Sequence, residues 1–195
     1  MKFRIVASLL VLLAALPVHA GLIKTKTKTR DESLILYGQR RITLAVPEGY
    51  VYSSHKDERG LITARIHDPK EKISLQLSFA PDPDEECATA RGRKEFMAES
   101  FQRYVAGSVE KAMRFEELEP RSGGGTYCVF TDAALVGQTK LPPGEYLHST
   151  TGIKAWRGYF AVFTLLSQDT KSAEYTAVMR LLREGLAEQP LTPLR

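Results

Sequence analysis

In Tyr159-Phe160-Ala161-Val162-Phe163-Thr164-Leu165-Leu166 both alternating sets of positions are largely apolar. Neither face of a strand there can be turned to water, so the run predicts a central strand over residues 159–167, covered on both sides. A strand over 146–156 precedes it, and Arg157-Gly158 joins the two as a hairpin. After Gln168-Asp169-Thr170, the apolar residues Tyr175, Val178, Met179, Leu182 and Leu186 recur at helical spacing, with Arg180, Arg183 and Glu184 on the other face. The spacing predicts an amphipathic helix over 171–188 lying on the sheet. Asp169, Thr170 and Ser172 can cap it, and Pro190 limits its length.

Upstream, Ile42, Leu44 and Val46 alternate with Thr43 and Ala45 and run into Pro47-Glu48-Gly49, a strand followed by turn chemistry. Residues 61–67 predict a second strand. Ile73, Leu75, Leu77 and Phe79 against Ser74, Gln76 and Ser78 predict a half-buried third, and the three are expected to form a meander. Met97, Phe101, Tyr104 and Val105 place a helix over 91–106. An irregular strand over 115–121, a glycine loop at 122–125 and a strand over 127–135 complete the series. The pattern is α+β: an antiparallel β-sheet packed with two main helices.

The amino terminus changes the picture of compartment. Lys2 and Arg4 precede an apolar run over residues 5–16, and Pro17-Val18-His19-Ala20 follows with small residues suited to a signal peptidase. The run is too short for the roughly 20 residues of a membrane span, so residues 1–20 read as a signal peptide, with Gly21 the first mature residue and a periplasmic or secreted location expected. The division expected is then a basic arm over 21–40, one domain over 41–188 and a tail over 189–195. Removing Lys2 and Arg4 leaves 25 basic against 23 acidic residues, a net charge of +2 in place of +4. No dense basic face supports nucleic-acid binding.

Lys24, Lys26, Lys28 and Arg30 alternate with threonines. An extended backbone puts these cations on one face, either as an arm toward an anionic polymer or partner or as a solvated edge strand. Two cysteines, Cys87 and Cys128, in an exported chain predict a structural disulfide; closing a loop of about 40 residues would contribute roughly 4 kcal/mol.

The order of elements, with the turn Val46-Pro47-Glu48-Gly49-Tyr50 and the stretch 156–186, resembles the Mog1/PsbP-like fold, a group that includes the DcrB-like bacterial exported proteins. The resemblance implies an antiparallel sheet between helices and accessory, chaperone or binding roles, and it carries over no catalytic residue.

Candidate chemistry is sparse. His67-Asp68 has the residue types of a base and its orienter, but no Gly-X-Ser-X-Gly elbow accompanies it, and Asp68-Pro69 also reads as a turn. His148 lies in a polar strand. Asp82, Asp84, Glu85 and Glu86 have oxygen ligands without the EF-hand spacing, and no metal or cofactor is expected. Trp156, Arg157 and Tyr159 at the hairpin tip are residue types enriched at interfaces; Trp156 as plain core packing is the alternative. The expected function is a non-enzymatic accessory or binding protein of the cell envelope acting through a protein partner, an inhibitor or immunity protein being one form. A binder of a small molecule or anionic envelope polymer, using a cleft between sheet and helix, is the second reading, and a hydrolase using His67 or His148 the third.

Overall fold

A computed structural model describes residues 28–36, 40–58, 60–118 and 124–189. The expected signal segment, Lys24, Lys26, residues 122–123 of the loop at 122–125 and residues 190–195 lie outside the described residues.

The strong alternations become strands. Ile73, Leu75, Leu77 and Phe79 of β5 (Ile73–Pro81) are buried while Gln76 faces out. β5 pairs antiparallel with β4 (Ile62–His67) on one side and β9 (Tyr159–Ser167) on the other. β8 (His148–Trp156) follows β9, then β7 (Gly125–Thr131) and the short β6 (Glu116–Leu118). With β3 (Val51–Lys56) on the far edge, a seven-stranded antiparallel sheet runs β3-β4-β5-β9-β8-β7-β6. A second sheet has the order β1-β2-β10, from β1 (Thr29–Ile35), β2 (Arg41–Pro47) and β10 (Leu186–Gln189). The fold is α+β, with two antiparallel sheets and few helices.

The double-faced β9 divides two apolar clusters. Tyr159, Ala161, Phe163 and Leu165 pack with the small sheet and with α3 (Ala173–Arg180). Phe160, with Val162 partly buried, packs on the opposite face against Met97 of α1 (Ala90–Ser100) and Phe101, which leads into α2 (Gln102–Gly107). Both longer helices start on local chemistry: Thr89 Oγ1 accepts from the Gly92 amide at 3.0 Å, and Ser172 Oγ from the Tyr175 amide at 3.1 Å.

Two expectations are corrected. The meander is β3-β4-β5, and β2 belongs to the other sheet; residues 51–56 carry no apolar alternation because β3 is an exposed edge strand. The closing helix does not reach residue 188. It ends at Arg180, passes through a π-helical turn (Leu181–Gly185) and becomes β10, antiparallel to β2. Leu186 is buried, as its spacing demands, but from a strand position. The free edge of β2 offers the chain a ladder that residues 186–189 complete, and a helical period cannot register that partner.

The π-turn is held by a buried lysine. Lys154 of β8 is 1% exposed, and its Nζ donates to the carbonyls of Leu182 at 2.6 Å and Arg183 at 3.2 Å, 5.8 Å from the Trp156 ring centre. These oxygens and the ring face hold a charge that burial opposes, and burial brings the ammonium down from 10.5 to about 8. Between those values the unfolded chain holds a proton that the folded one has released, so this group's contribution to stability rises with pH across that window. Relative to a Lys154→Met variant, the wild type should therefore gain stability from pH 8 toward 10.5, on the order of 2–3 kcal/mol. Urea unfolding of both proteins at each pH checks this; a pH-independent difference would contradict it.

Candidate functional site

The hairpin tip is mostly interior. Trp156 and Tyr159 are 9% and 3% exposed and stack on each other at 5.2 Å, with Arg40 over the Tyr159 ring at 5.3 Å. Arg40 Nη1 also donates to the Arg157 carbonyl at 2.5 Å and pairs with Glu188 at 3.1 Å, so the tip is tied to the small sheet. Burial, with Glu188 adding to it, pushes the Tyr159 phenol well above its usual range. Only Arg157 of the three presents its side chain, 89% exposed. The packing role weighed for Trp156 is the one this geometry carries.

Of the basic series, Lys28 and Arg30 are described. Arg30 sits on β1 and is engaged, with Nε 2.9 Å from Glu32 and Nη2 donating to the Tyr50 carbonyl at 2.7 Å.

The disulfide is a correction: Cys87 and Cys128 are free, buried thiols. Both fill one apolar cluster with Met97, Phe130 and Ile153. A count of two cysteines and a compartment permit a bond but do not aim the sulfurs. Burial pushes both thiols up from 9.0 to about 11, Asp82 and Glu86 adding to it at Cys87 and Glu116 at Cys128. Two units leave about 100-fold less thiolate, so iodoacetamide should label the native protein at least that much more slowly than the urea-unfolded chain. Equal rates, or a chain lacking two free thiols by mass, would overturn this.

The histidines and acids have local duties. His67 Nδ1 faces the Asp68 carbonyl at 3.0 Å and can only donate to it, while the Asp68 carboxylate accepts from the amides of Lys70 (3.1 Å) and Ile73 (2.9 Å). The Asp68 carboxylate closes a turn, and the contact to His67 comes from the Asp68 backbone. Thr131 Oγ1 lies 2.8 Å from Glu110 Oε1 and 3.2 Å from His148 Nδ1. The carboxylate can only accept, so the hydroxyl proton goes to it and His148 donates to Thr131, where it does not act as a base. Burial works against the Glu110 charge, but the Thr131 amide and hydroxyl hold that carboxyl below its usual value. Asp82 takes the amides of Glu86 and Cys87, each at 3.0 Å, and so caps the 3-10 turn Glu86–Ala88. Among the described residues no group of three His, Cys, Asp or Glu could hold a metal ion, and no helix is long and apolar enough to cross a membrane.

The sequence allows a cleft between sheet and helix but names none of its residues; the structure has one of about 390 Å³ between α2, the carboxyl end of β7 and the segment 144–147. Arg103 and Tyr104 form the helix side. Phe130, Leu147 and Leu166 supply apolar surface, and Ser149 opens onto it from β8. The cleft exists because α1 and α2 cover only part of the sheet's outer face. Leu166, near the end of the double-faced strand, is only partly buried and lines the cleft. Tyr104 is one of the residues whose spacing places the helix over 91–106, and no local pattern distinguishes a covered from a partly uncovered position on that stripe.

Neither a family model nor a curated protein matches the sequence. Among solved structures, the solution structure of cyanobacterial PsbP (CyanoP) from Synechocystis sp. PCC 6803 is similar, with a TM-score of 0.53 at 11% identity over 89% of this chain and 99% of that one. An identity this low speaks for the fold alone. The chain has the Mog1/PsbP-like fold that its order of elements resembles.

Proposed function

We propose that this is an exported, non-enzymatic binding protein of the cell envelope, and that it takes a small ligand into the cleft between α2 and the large sheet. The observation that carries the reading is the cleft itself: its volume lies within the range of small-ligand sites, and aromatic and apolar side chains line it together with a few polar groups. The signal-like residues 1–20 are the support for export to the periplasm. A binding role without catalysis fits the local structural duties of His67, His148 and the acidic turn. Native mass spectrometry of the chain purified undenatured from its own cell envelope should reveal a bound small molecule, and a Ser149→Trp variant, which fills the cleft, should lose it. Equal occupancy in both proteins would refute the cleft as its place, and cytoplasmic retention would refute export.

A protein partner is the second reading, favoured by exposed Val109 and Val136 (53% and 54%). Residues 107–109 bond to 131–133, so Val109 sits at the cleft's margin. Under this reading Val109→Asp and Val136→Asp would weaken capture of the partner while leaving ligand binding intact.

A further inference from the structure

Charges of both signs share the cleft. Arg103 lies on the α2 side with its guanidinium 5.0 Å from the centre of the Tyr104 ring, and Tyr104 stacks on Phe130 at 5.7 Å and 18°. The guanidinium thus rests over the Tyr104 ring at the cleft wall, with Arg103 itself exposed. One N–H reaches the Tyr104 hydroxyl at 3.3 Å, and among the described residues no carboxylate is within 4.0 Å of Arg103. Its planar fork therefore keeps donors for a carboxylate from outside the chain. Asp132 and Glu145 line the same cleft. Asp132 Oδ1 accepts the Ala134 amide at 2.8 Å, and both Asp132 and Glu145 are exposed.

A simple anion entering here meets two carboxylates, and a simple cation leaves Arg103 unanswered beside it. A molecule with a carboxylate and an ammonium answers both. Beside these charges the lining joins the hydroxyls of Ser108, Thr131 and Ser149 to the apolar or aromatic surface of Phe130, Leu147, Leu166 and the ring of Tyr146, whose phenol burial pushes up. We infer that the cleft binds a zwitterion, a free amino acid or short peptide with an aromatic or large aliphatic side chain. The inference rests on the cleft-binding reading above. In this arrangement Arg103 takes the carboxylate, Asp132 and Glu145 the ammonium, and the Tyr104–Phe130 stack the side chain.

Isothermal titration of the mature chain with L-phenylalanine and glycyl-phenylalanine, against N-acetyl-phenylalanine, phenylalaninamide and alanine, tests this. At least one of the first two should bind, and loss of either charged end, or of the ring, should weaken binding about tenfold or more. Arg103→Met, checked for folding by circular dichroism, should bind phenylalanine and its amide equally. Asp132→Asn should narrow the gap between phenylalanine and its N-acetyl form. Blocked probes binding as tightly as phenylalanine would overturn the zwitterion and leave the cleft a binding site. No heat from any probe, while the natively purified chain still carries a small molecule that Ser149→Trp loses, would overturn the ligand class alone. Failure of both experiments would remove the cleft as a ligand site.

Discussion

Replacing Arg93 by methionine should cost about 3–5 kcal/mol of folding stability, although the residue stands in the first half of a helix with solvent on its other face. Arg93 is 4% exposed, and every nitrogen of its guanidinium donates a hydrogen bond. Nε donates to Thr126 Oγ1 at 2.9 Å, Nη1 to the carbonyls of Cys87 (3.2 Å) and Ala88 (3.1 Å), and Nη2 to Glu117 at 3.1 Å. It thus bolts the 3-10 turn before α1 to β7 and β6. Methionine fills much of the volume but leaves the buried Cys87 and Thr126 oxygens without their donor, and orphaned acceptors, not the ion pair, dominate the cost. The Glu117 side chain is 44% exposed, so Glu117→Gln should cost only about 1 kcal/mol or less. Burial acts against the Glu117 charge, but Thr126, Lys94 and Arg93 hold that carboxyl below its usual value. Lysine at 93 should not restore stability, because one ammonium cannot reproduce the fork. Urea denaturation measures all three variants, and a cost below about 1 kcal/mol for Arg93→Met would show that water replaces the lost donors.

The second large effect lies where β8 and β9 cross the centre of the sheet. Gly152 pairs with Phe163, and a Cβ on it would meet the Phe163 ring tip at 2.5 Å, the Thr126 carbonyl at 2.4 Å and Tyr127 Cβ at 2.7 Å. The ring thus occupies the space over the glycine. Phe163→Ala should cost about 3–5 kcal/mol through the cavity it leaves. Gly152→Ala should cost about 1–3 kcal/mol by overpacking. The two are coupled. In the Phe163→Ala background the cost of Gly152→Ala should fall by about 1 kcal/mol, since the ring contact is gone, without vanishing, since the Thr126 backbone cannot retreat. Additive costs in a double-mutant cycle by chemical denaturation would mean that the backbone contact alone sets the penalty at Gly152.

The same two regions show what was legible in the sequence. The apolar face of β5 and both faces of β9 were read from alternation, because a side chain's exposure in a strand repeats every second residue. Met97 and Phe101 were read as an inward stripe for the same local reason, and they are buried. Arg93, one turn earlier on that helix, carried no such signal, since its burial depends on Thr126, thirty-three residues away. Lys154 was likewise a polar residue in a strand until the carbonyls of the π-turn were placed above it. The candidate site divides in the same way. Trp156 and Tyr159 were visible as residue types, but Arg40 and Glu188, which tie the tip to the small sheet, come from distant parts of the chain.

By itself the sequence determined the α+β class, the buried faces of the main strands, a cap for the closing helix among Asp169, Thr170 and Ser172, and the closing hairpin, each set by the period or turn chemistry of a few consecutive residues. Only the tertiary structure decided that β1 and β10 flank β2, that Cys87 and Cys128 are free thiols in one cluster, and that Arg103, Asp132 and Leu166 line one cleft. The reason is that a backbone edge takes whichever strand reaches it, and a cleft opens where a covering helix stops. Both depend on how far each element extends in space, which local periodicity does not encode.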